Sequence, residues 1–190
     1  MNKEYFEGEE YKGTNYAEIK LPKGEYENCT FSHCIFANAN LSGITFSECV
    51  FDQCDFSMAI LNGTFLKDIQ FKNCKMLGLH FDYCNPFLIA FSFDNCVLNF
   101  SSFFRLKIKS TSFKDSKLEE VDFSETNLTK ARFLNCDLNR AVFDNSILEG
   151  ADFRTAFNFS INPENNHINK ARFSSQNIAG LLHKYNISID

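Results

Sequence analysis

Eight cysteines and four histidines are the residues of this 190-residue chain with the widest chemical range. Brought together they could bind a metal, supply a thiolate or act as a general base, so their spacing decides. Cys29, Cys34, Cys49, Cys54, Cys74 and Cys84 share one phase of a five-residue step, and Cys96 and Cys136 share a second phase. There is no C-x-x-C pair and no histidine at ligand spacing, so neither zinc nor an iron-sulfur cluster is expected. A residue type that returns every fifth position fills a structural slot, and the cysteines read as small hydrophobes of a core. His33, His80, His167 and His183 lie far apart and outside any nucleophile or metal motif, and they read as exposed or capping side chains. No G-x-G-x-x-G, Walker A or G-x-S-x-G motif is present. Catalytic residues, a cofactor and a metal are therefore not expected.

The elements that hold the cysteines are set by a repeat. Stepping by five from Phe6 meets a large apolar or aromatic residue sixteen times in succession, as far as Phe81. The same step resumes two residues out of phase at Leu98 and runs for twelve positions to Phe153. Two residues before each centre the side chain is mostly small, as at Cys29, Ala39, Cys54, Thr64, Ser101, Thr126 and Ala151. A period of five matches neither the 3.6 of a helix nor the 2 of a strand, so each unit turns a corner after a short extended piece. One large and one small inward side chain per unit then pack in stacked layers.

Between Phe81 and Leu98 the pattern breaks, and Pro86 stands where a centre is due. A kink or bulge near residues 84–93 is predicted there, with no long loop leaving the molecule. Beyond residue 160 the character changes. Asn162 to Asn166 reads as a turn and Ala171-Arg172-Phe173 as a last repeat-like triplet. Ser174 reads as the N-cap of a helix through about Tyr185, followed by a short extended piece over residues 186–190. Ile178, Leu181, Leu182 and Tyr185 would share one face of that helix. A helix so short needs a surface to cover, which points to packing on the last repeats and to a homodimer interface formed by these four residues.

Ala39-Asn40-Leu41-Ser42-Gly43, Ala131-Arg132-Phe133-Leu134-Asn135 and Ala151-Asp152-Phe153-Arg154-Thr155 resemble the A(D/N)LXX signature of pentapeptide-repeat proteins. The resemblance implies an all-β fold, a right-handed quadrilateral β-helix in which four pentads make one square coil. The expected organisation is a β-helix over residues 1–160, with an irregular N-terminal cap over 1–23, and a turn, helix and dimerisation cap over 161–190. Twenty-eight centres at four per coil give seven coils and a rod of about 34 Å at the usual spacing of neighbouring strands. The cysteine-rich early repeats, the single phase break and the tail Phe157-Asn158-Phe159-Ser160-Ile161-Asn162-Pro163-Glu164 are similar to the branch holding the quinolone-resistance (Qnr) and microcin-immunity proteins. That likeness implies a dimeric rod shaped like a DNA duplex, which binds type II topoisomerases, DNA gyrase above all, and protects them from poisons.

Nineteen basic against 24 acidic side chains leave a net charge of -5, no apolar run is long enough to span a membrane, and residues 1–7 contain no apolar leader. A cytoplasmic protein with reduced cysteines is expected, with no membrane and no direct nucleic-acid partner. With residues twenty apart on one face, Glu119, Glu120 and Asp137 group on one side of the rod, and Asp122, Glu125 and Asp144 on the next. Lys107, Lys109 and Lys130 gather on a third. About 34 Å of duplex carries roughly 20 negative charges, so mimicry by this chain would rest on local patches. The expected function is a non-enzymatic, DNA-mimicking rod that binds DNA gyrase or topoisomerase IV through those six carboxylates and protects it from a quinolone or peptide toxin. The alternative is a cytoplasmic protein-interaction scaffold with no topoisomerase or DNA-related role.

Overall fold

Each pentad turns its centre and its small residue inward, and the coil closes after four. The computed structural model describes residues 4–188 and has this form. On side 1 the strands β1 (Glu4–Glu7), β3 (Gly24–Glu27), β5 (Thr45–Ser47) and β7 (Phe65–Lys67) form a parallel sheet in that order. On side 2 a second parallel sheet runs through β2 (Glu10–Lys12), β4 (Thr30–Ser32), β6 (Val50–Asp52), β8 (Ile69–Lys72), β9 (Phe91–Asp94), β10 (Ser112–Lys114) and β11 (Arg132–Leu134). Centres pair with centres: Tyr26 with Phe46, Phe51 with Phe71, Phe113 with Phe133. Sides 3 and 4 are built from single bridges, Ile35 to Asp55 to Lys75 on side 3 and Asn40 to Ile60 on side 4.

The corners explain the polar half of the repeat. At many of them the backbone is left-handed at a non-glycine residue, as at Asn28, Asn73 and Asn135 (φ 53° each), a conformation that asparagine tolerates better than most residues. The Asp or Asn preceding a centre caps the turn that follows it. Asn40 accepts from the N–H of Ser42 at 3.0 Å, Asp55 from Ser57 at 2.8 Å and Asp122 from Ser124 at 2.8 Å. At Gly78 (φ +60°) the left-handed corner carries no side-chain strain, and a Cβ there would stand 2.6 Å from the sulfur of Met58 and push that exposed side chain aside.

The core is a set of ring columns. Tyr11, Phe31, Phe51, Phe71, Phe93, Phe113, Phe133, Phe153 and Phe173 stack face to face along side 2, with centroids 4.6 to 5.3 Å apart. A second column on side 4, Phe81, Phe103, Phe123 and Phe143, meets the first edge to face, as in the Phe113–Phe123 pair at 81°. The small slots hold all eight cysteines, every one buried and unpaired. Most of these thiols are also donors to main-chain carbonyls: Cys54 reaches the carbonyl of Phe31 at 3.3 Å and Cys74 that of Phe51 at 3.3 Å. The small slot is thus polar as well as compact, which the reading as plain hydrophobes leaves out.

At the phase break the N–H of Asn85 still donates to Thr64, and that of Ala90 to Leu66. Pro86, which has no N–H, leads the chain outward between these two contacts. Phe87 and Leu88 stand at the tip of the bulge, each 63% exposed, while Ile89 and Phe91 turn back into the core. Register is recovered at Phe93, which pairs with Phe71, one pentad earlier than Leu98 where the period suggests it.

The two ends depart from expectation. In place of an irregular cap over residues 1–23, β1 and β2 pair residue for residue with β3 and β4, and only the stretch around Asn15 to Ile19 is a local turn. At the other end the predicted α-helix is replaced by two short 3-10 turns, Ile178–Leu181 and His183–Tyr185. Ser174 caps nothing there; its own N–H donates to Asn177 at 3.0 Å. The Asn177 amide in turn satisfies the carbonyls of Phe153 and Ala156 at 2.9 Å each. Pinning Asn177 to the last coil, together with a close approach of Gly180 to the Phe159 backbone, leaves no room for a regular helix. Of the extended piece expected over 186–190, Ile189 and Asp190 lie outside the described residues.

Candidate functional site: the acidic faces and the rod ends

The six carboxylates chosen from the sequence fall where the twenty-residue coil puts them. Asp137 lies on side 3, in the row of bridges with Lys117, and Asp122 on side 4, in the row with Ser102 and Val142. Glu119 and Asp144 follow the centres of sides 3 and 4, while Glu120 and Glu125 occupy left-handed corners at either edge of side 4. Their partners divide them. Arg105 clamps Glu125 with two bonds, 2.7 and 3.1 Å, and holds its carboxyl below the usual carboxylate range. Arg140 meets Glu120 at 2.9 Å. These two are neutralised within the rod.

The other four accept hydrogen bonds from uncharged donors. Glu119 bridges the amides of Asn99 and Asn139, each at 3.1 Å. Asp137 accepts from the N–H of Asn139 and from the amide of Asn158 at 2.9 Å. Asp144 takes longer bonds from Asn145 and Asn165. Asp122 and Asp137 therefore also serve the turn geometry of the repeat itself. What remains outward and uncompensated is a strip of four carboxylates across two adjacent sides.

Sequence reasoning missed a second acidic strip. Glu48 and Asp68 follow one another along the corner between sides 1 and 2 and line a cleft with Glu27 and Leu88. The signal was available, since 48 and 68 are twenty apart, in a half of the chain where acidic side chains outnumber basic ones and no single pair stands out. Lys107, Lys109 and Lys130 take up side 1 and the same corner on the far side of the bulge.

No chemistry gathers around the histidines. His80 contacts Asp82 at 3.2 Å and stacks on Tyr83 at the surface. Among the described residues no group of three or more His, Cys, Asp or Glu could hold a metal ion, and no helix is long and apolar enough to cross a membrane. Burial pushes the thiols of Cys49 and Cys136 up to about 12, which keeps them protonated.

The four predicted dimer residues do not share one face. Leu181 packs on the core and Leu182 is half-buried, whereas Ile178 and Tyr185 are exposed, the Tyr185 hydroxyl donating to Glu164 at 3.0 Å. With Ile187 they leave an apolar rim on the C-terminal end.

A family model for pentapeptide-repeat regions matches residues 25–91 and 87–157, which is most of the chain. The chain belongs to the pentapeptide-repeat family. No curated protein matches it. Among solved pentapeptide-repeat structures, one trypsin-treated variant of QnrB1, a plasmid-mediated fluoroquinolone resistance protein, superposes with a TM-score of 0.72 at 12% identity, covering 100% of this chain and 92% of that one. A second trypsin-treated QnrB1 variant gives 0.64 at 14% identity, covering 98% of this chain and 100% of that one. At such identities the likeness is one of fold: this pentapeptide-repeat chain forms the same β-solenoid.

Proposed function

We propose that the protein is a non-enzymatic, DNA-mimicking rod that binds DNA gyrase or topoisomerase IV and protects it from a poison, a quinolone or a peptide toxin. The observation that carries this reading is the strip Glu119, Asp122, Asp137 and Asp144, whose charges meet uncharged donors and so stay available to a basic groove. The shared solenoid of QnrB1, a fluoroquinolone resistance protein, supports it. Ile178, Leu182 and Tyr185 form the homodimer contact in this reading, with Leu181 fixing the turn that presents them. The protein works in the cytoplasm, as its target does.

The test is a gyrase supercoiling and cleavage assay with the purified protein titrated in, with and without a quinolone. Glu119→Gln, Asp122→Asn, Asp137→Asn and Asp144→Asn remove the charges and keep the turn-capping oxygens. Loss of gyrase inhibition or protection in this neutralised variant is the expected outcome, and an unchanged titration defeats the reading. A scaffold with no topoisomerase role is the second reading. It is favoured by Arg105–Glu125 and Arg140–Glu120, which neutralise the outer edges of the same strip.

A further inference from the structure

Side 1 differs from the others in where it keeps its charges. On side 2 Lys114 reaches Asp94 at 3.0 Å, on side 3 Lys75 reaches Asp55 at 3.6 Å, and at the edges of side 4 Arg105 and Arg140 hold Glu125 and Glu120. Opposite charges one coil apart thus cancel within the rod. Along side 1 and its corner to side 2 they are segregated. Glu7, Glu27, Glu48 and Asp68 precede the bulge, and Lys107, Lys109, Lys130 and Lys170 follow it. Lys67 and Glu149 are the exceptions, and the Lys67 ammonium lies over the Phe65 ring at 5.6 Å. Among the described residues Glu48, Asp68, Lys107, Lys109 and Lys130 have no ion pair and no side-chain hydrogen bond.

The spacing about the bulge is symmetric. Asp68 lies one coil before it and Lys107 and Lys109 one coil after; Glu48 lies two coils before and Lys130 two coils after; Glu7 lies four before and Lys170 four after. A twofold axis at the level of the bulge, lying in the plane of the contact and perpendicular to the rod, would set each of these acids on a lysine of a second copy and bring the two exposed Phe87-Leu88 tips together. Glu27 and Glu149, three coils out, would face each other as like charges, with Glu27 already holding the Tyr5 hydroxyl at 2.7 Å.

We propose that side 1 is a self-complementary docking surface on which a second copy of this chain lies antiparallel, acid on lysine, with the Phe87-Leu88 tips at the centre. Such an isologous contact needs one patch to match its own twofold image, which segregated charge about an apolar tip provides and intramolecularly paired charge does not. It is separate from the C-terminal contact and does not depend on a topoisomerase target.

Sedimentation of the full chain over a range of salt concentrations tests it, because charge pairing at a solvent-lined contact weakens as the screening length falls to about 10 Å at 0.1 M salt. The expected result is a self-association that salt dissolves. Glu48→Lys and Lys130→Glu should each weaken it about tenfold, and the double variant Glu48→Lys/Lys130→Glu should regain it. Both positions already hold the left-handed corner conformation, φ 54° and 58°, so the exchange is neutral for the backbone. Leu88→Cys should crosslink copy to copy under mild oxidation, and Ser124→Cys on side 4 should not. A double variant as weak as the single ones overturns the proposal. So does a dimer indifferent to salt and to both reversals, which would be the C-terminal one, or association seen only with a foreign basic protein.

Discussion

The thiol of Cys49 donates to the carbonyl oxygen of Tyr26, one coil earlier, across 3.3 Å. The hydroxyls of Thr64, Thr126 and Ser146 make the same contact with Leu41, Phe103 and Phe123, each at 2.8 Å. After the bulge adds its two residues, Ser101 and Cys96 still find the equivalent carbonyls of Met76 and Phe71. Cysteine, serine and threonine alternate in the small slot because each is short and each has one proton to give to the coil before it.

Cys49→Ser should therefore change stability by less than about 1 kcal/mol, whereas Cys49→Ala should cost about 1 kcal/mol through the lost donor. Cys49→Leu should cost about 1–3 kcal/mol by overfilling the slot. Urea melts of the three variants check the order, and an alanine variant as stable as the serine one would remove the donor from the account.

Phe113 stacks on Phe93 at 5.1 Å and on Phe133 at 5.0 Å, and is fully buried. Phe113→Ala should destabilise the rod by about 3–5 kcal/mol, since neighbouring coils tied by main-chain bonds cannot collapse into the gap. Denaturant midpoints with an unchanged slope are the readout.

Asp152 accepts from Arg154 at 2.7 and 2.9 Å and lies 3.7 Å from Arg172, and these contacts hold its carboxyl below the ordinary range. A carboxyl depressed in the folded state stabilises it above the unfolded value, and that contribution disappears as pH falls through the folded value. Asp152→Asn should cost about 1 kcal/mol near neutral pH, and the difference from the parent should shrink as the pH falls below about 4. Melting temperatures across that range should converge; a constant offset would mean that the cost is one of shape.

The eight buried thiols should resist alkylation in the folded protein at pH 8 and all react once it is unfolded, because the packed core shuts the reagent out, and burial also keeps Cys49 and Cys136 protonated, with values pushed up to about 12. Mass spectrometry after iodoacetamide treatment counts the modified sites. One rapidly labelled cysteine in the native state would point to an opened coil.

A Cβ at Gly180 would sit 2.5 Å from the carbonyl oxygen of Phe159. Gly180→Ala should lift the C-terminal turns off the last coil and lower the melting temperature, and under the proposed C-terminal contact it should also weaken self-association, as read by sedimentation.

Much of this was legible before any coordinates. A step of five requires a corner in every unit, the resemblance to pentapeptide-repeat proteins implies four units per coil, and the carboxylates and lysines fell on the sides that a twenty-residue coil assigns them. Three things were not. Pro86 marked the bulge, but the early return to register at Phe93 depends on Phe91 turning inward, which no periodicity announces. The face Ile178, Leu181, Leu182 and Tyr185 had true helical spacing, and tertiary contacts of Asn177 and Gly180 overrode it. The ion pairs of Glu120 and Glu125 depended on arginines exactly one coil away, Arg140 and Arg105, a regularity visible only once charges are read down the column rather than along the chain.

The aromatic columns have a spectroscopic consequence. The chain has no tryptophan and six tyrosines, four of which, Tyr5, Tyr11, Tyr16 and Tyr26, belong to the first two coils. Their emission thus reports on the N-terminal end of the stack, while circular dichroism averages over every coil. In a solenoid whose coils touch only their neighbours, ends can open before the middle. A heating curve followed by tyrosine fluorescence that leads the one followed by ellipticity would show the rod unzipping from its N-terminal end, with no label added.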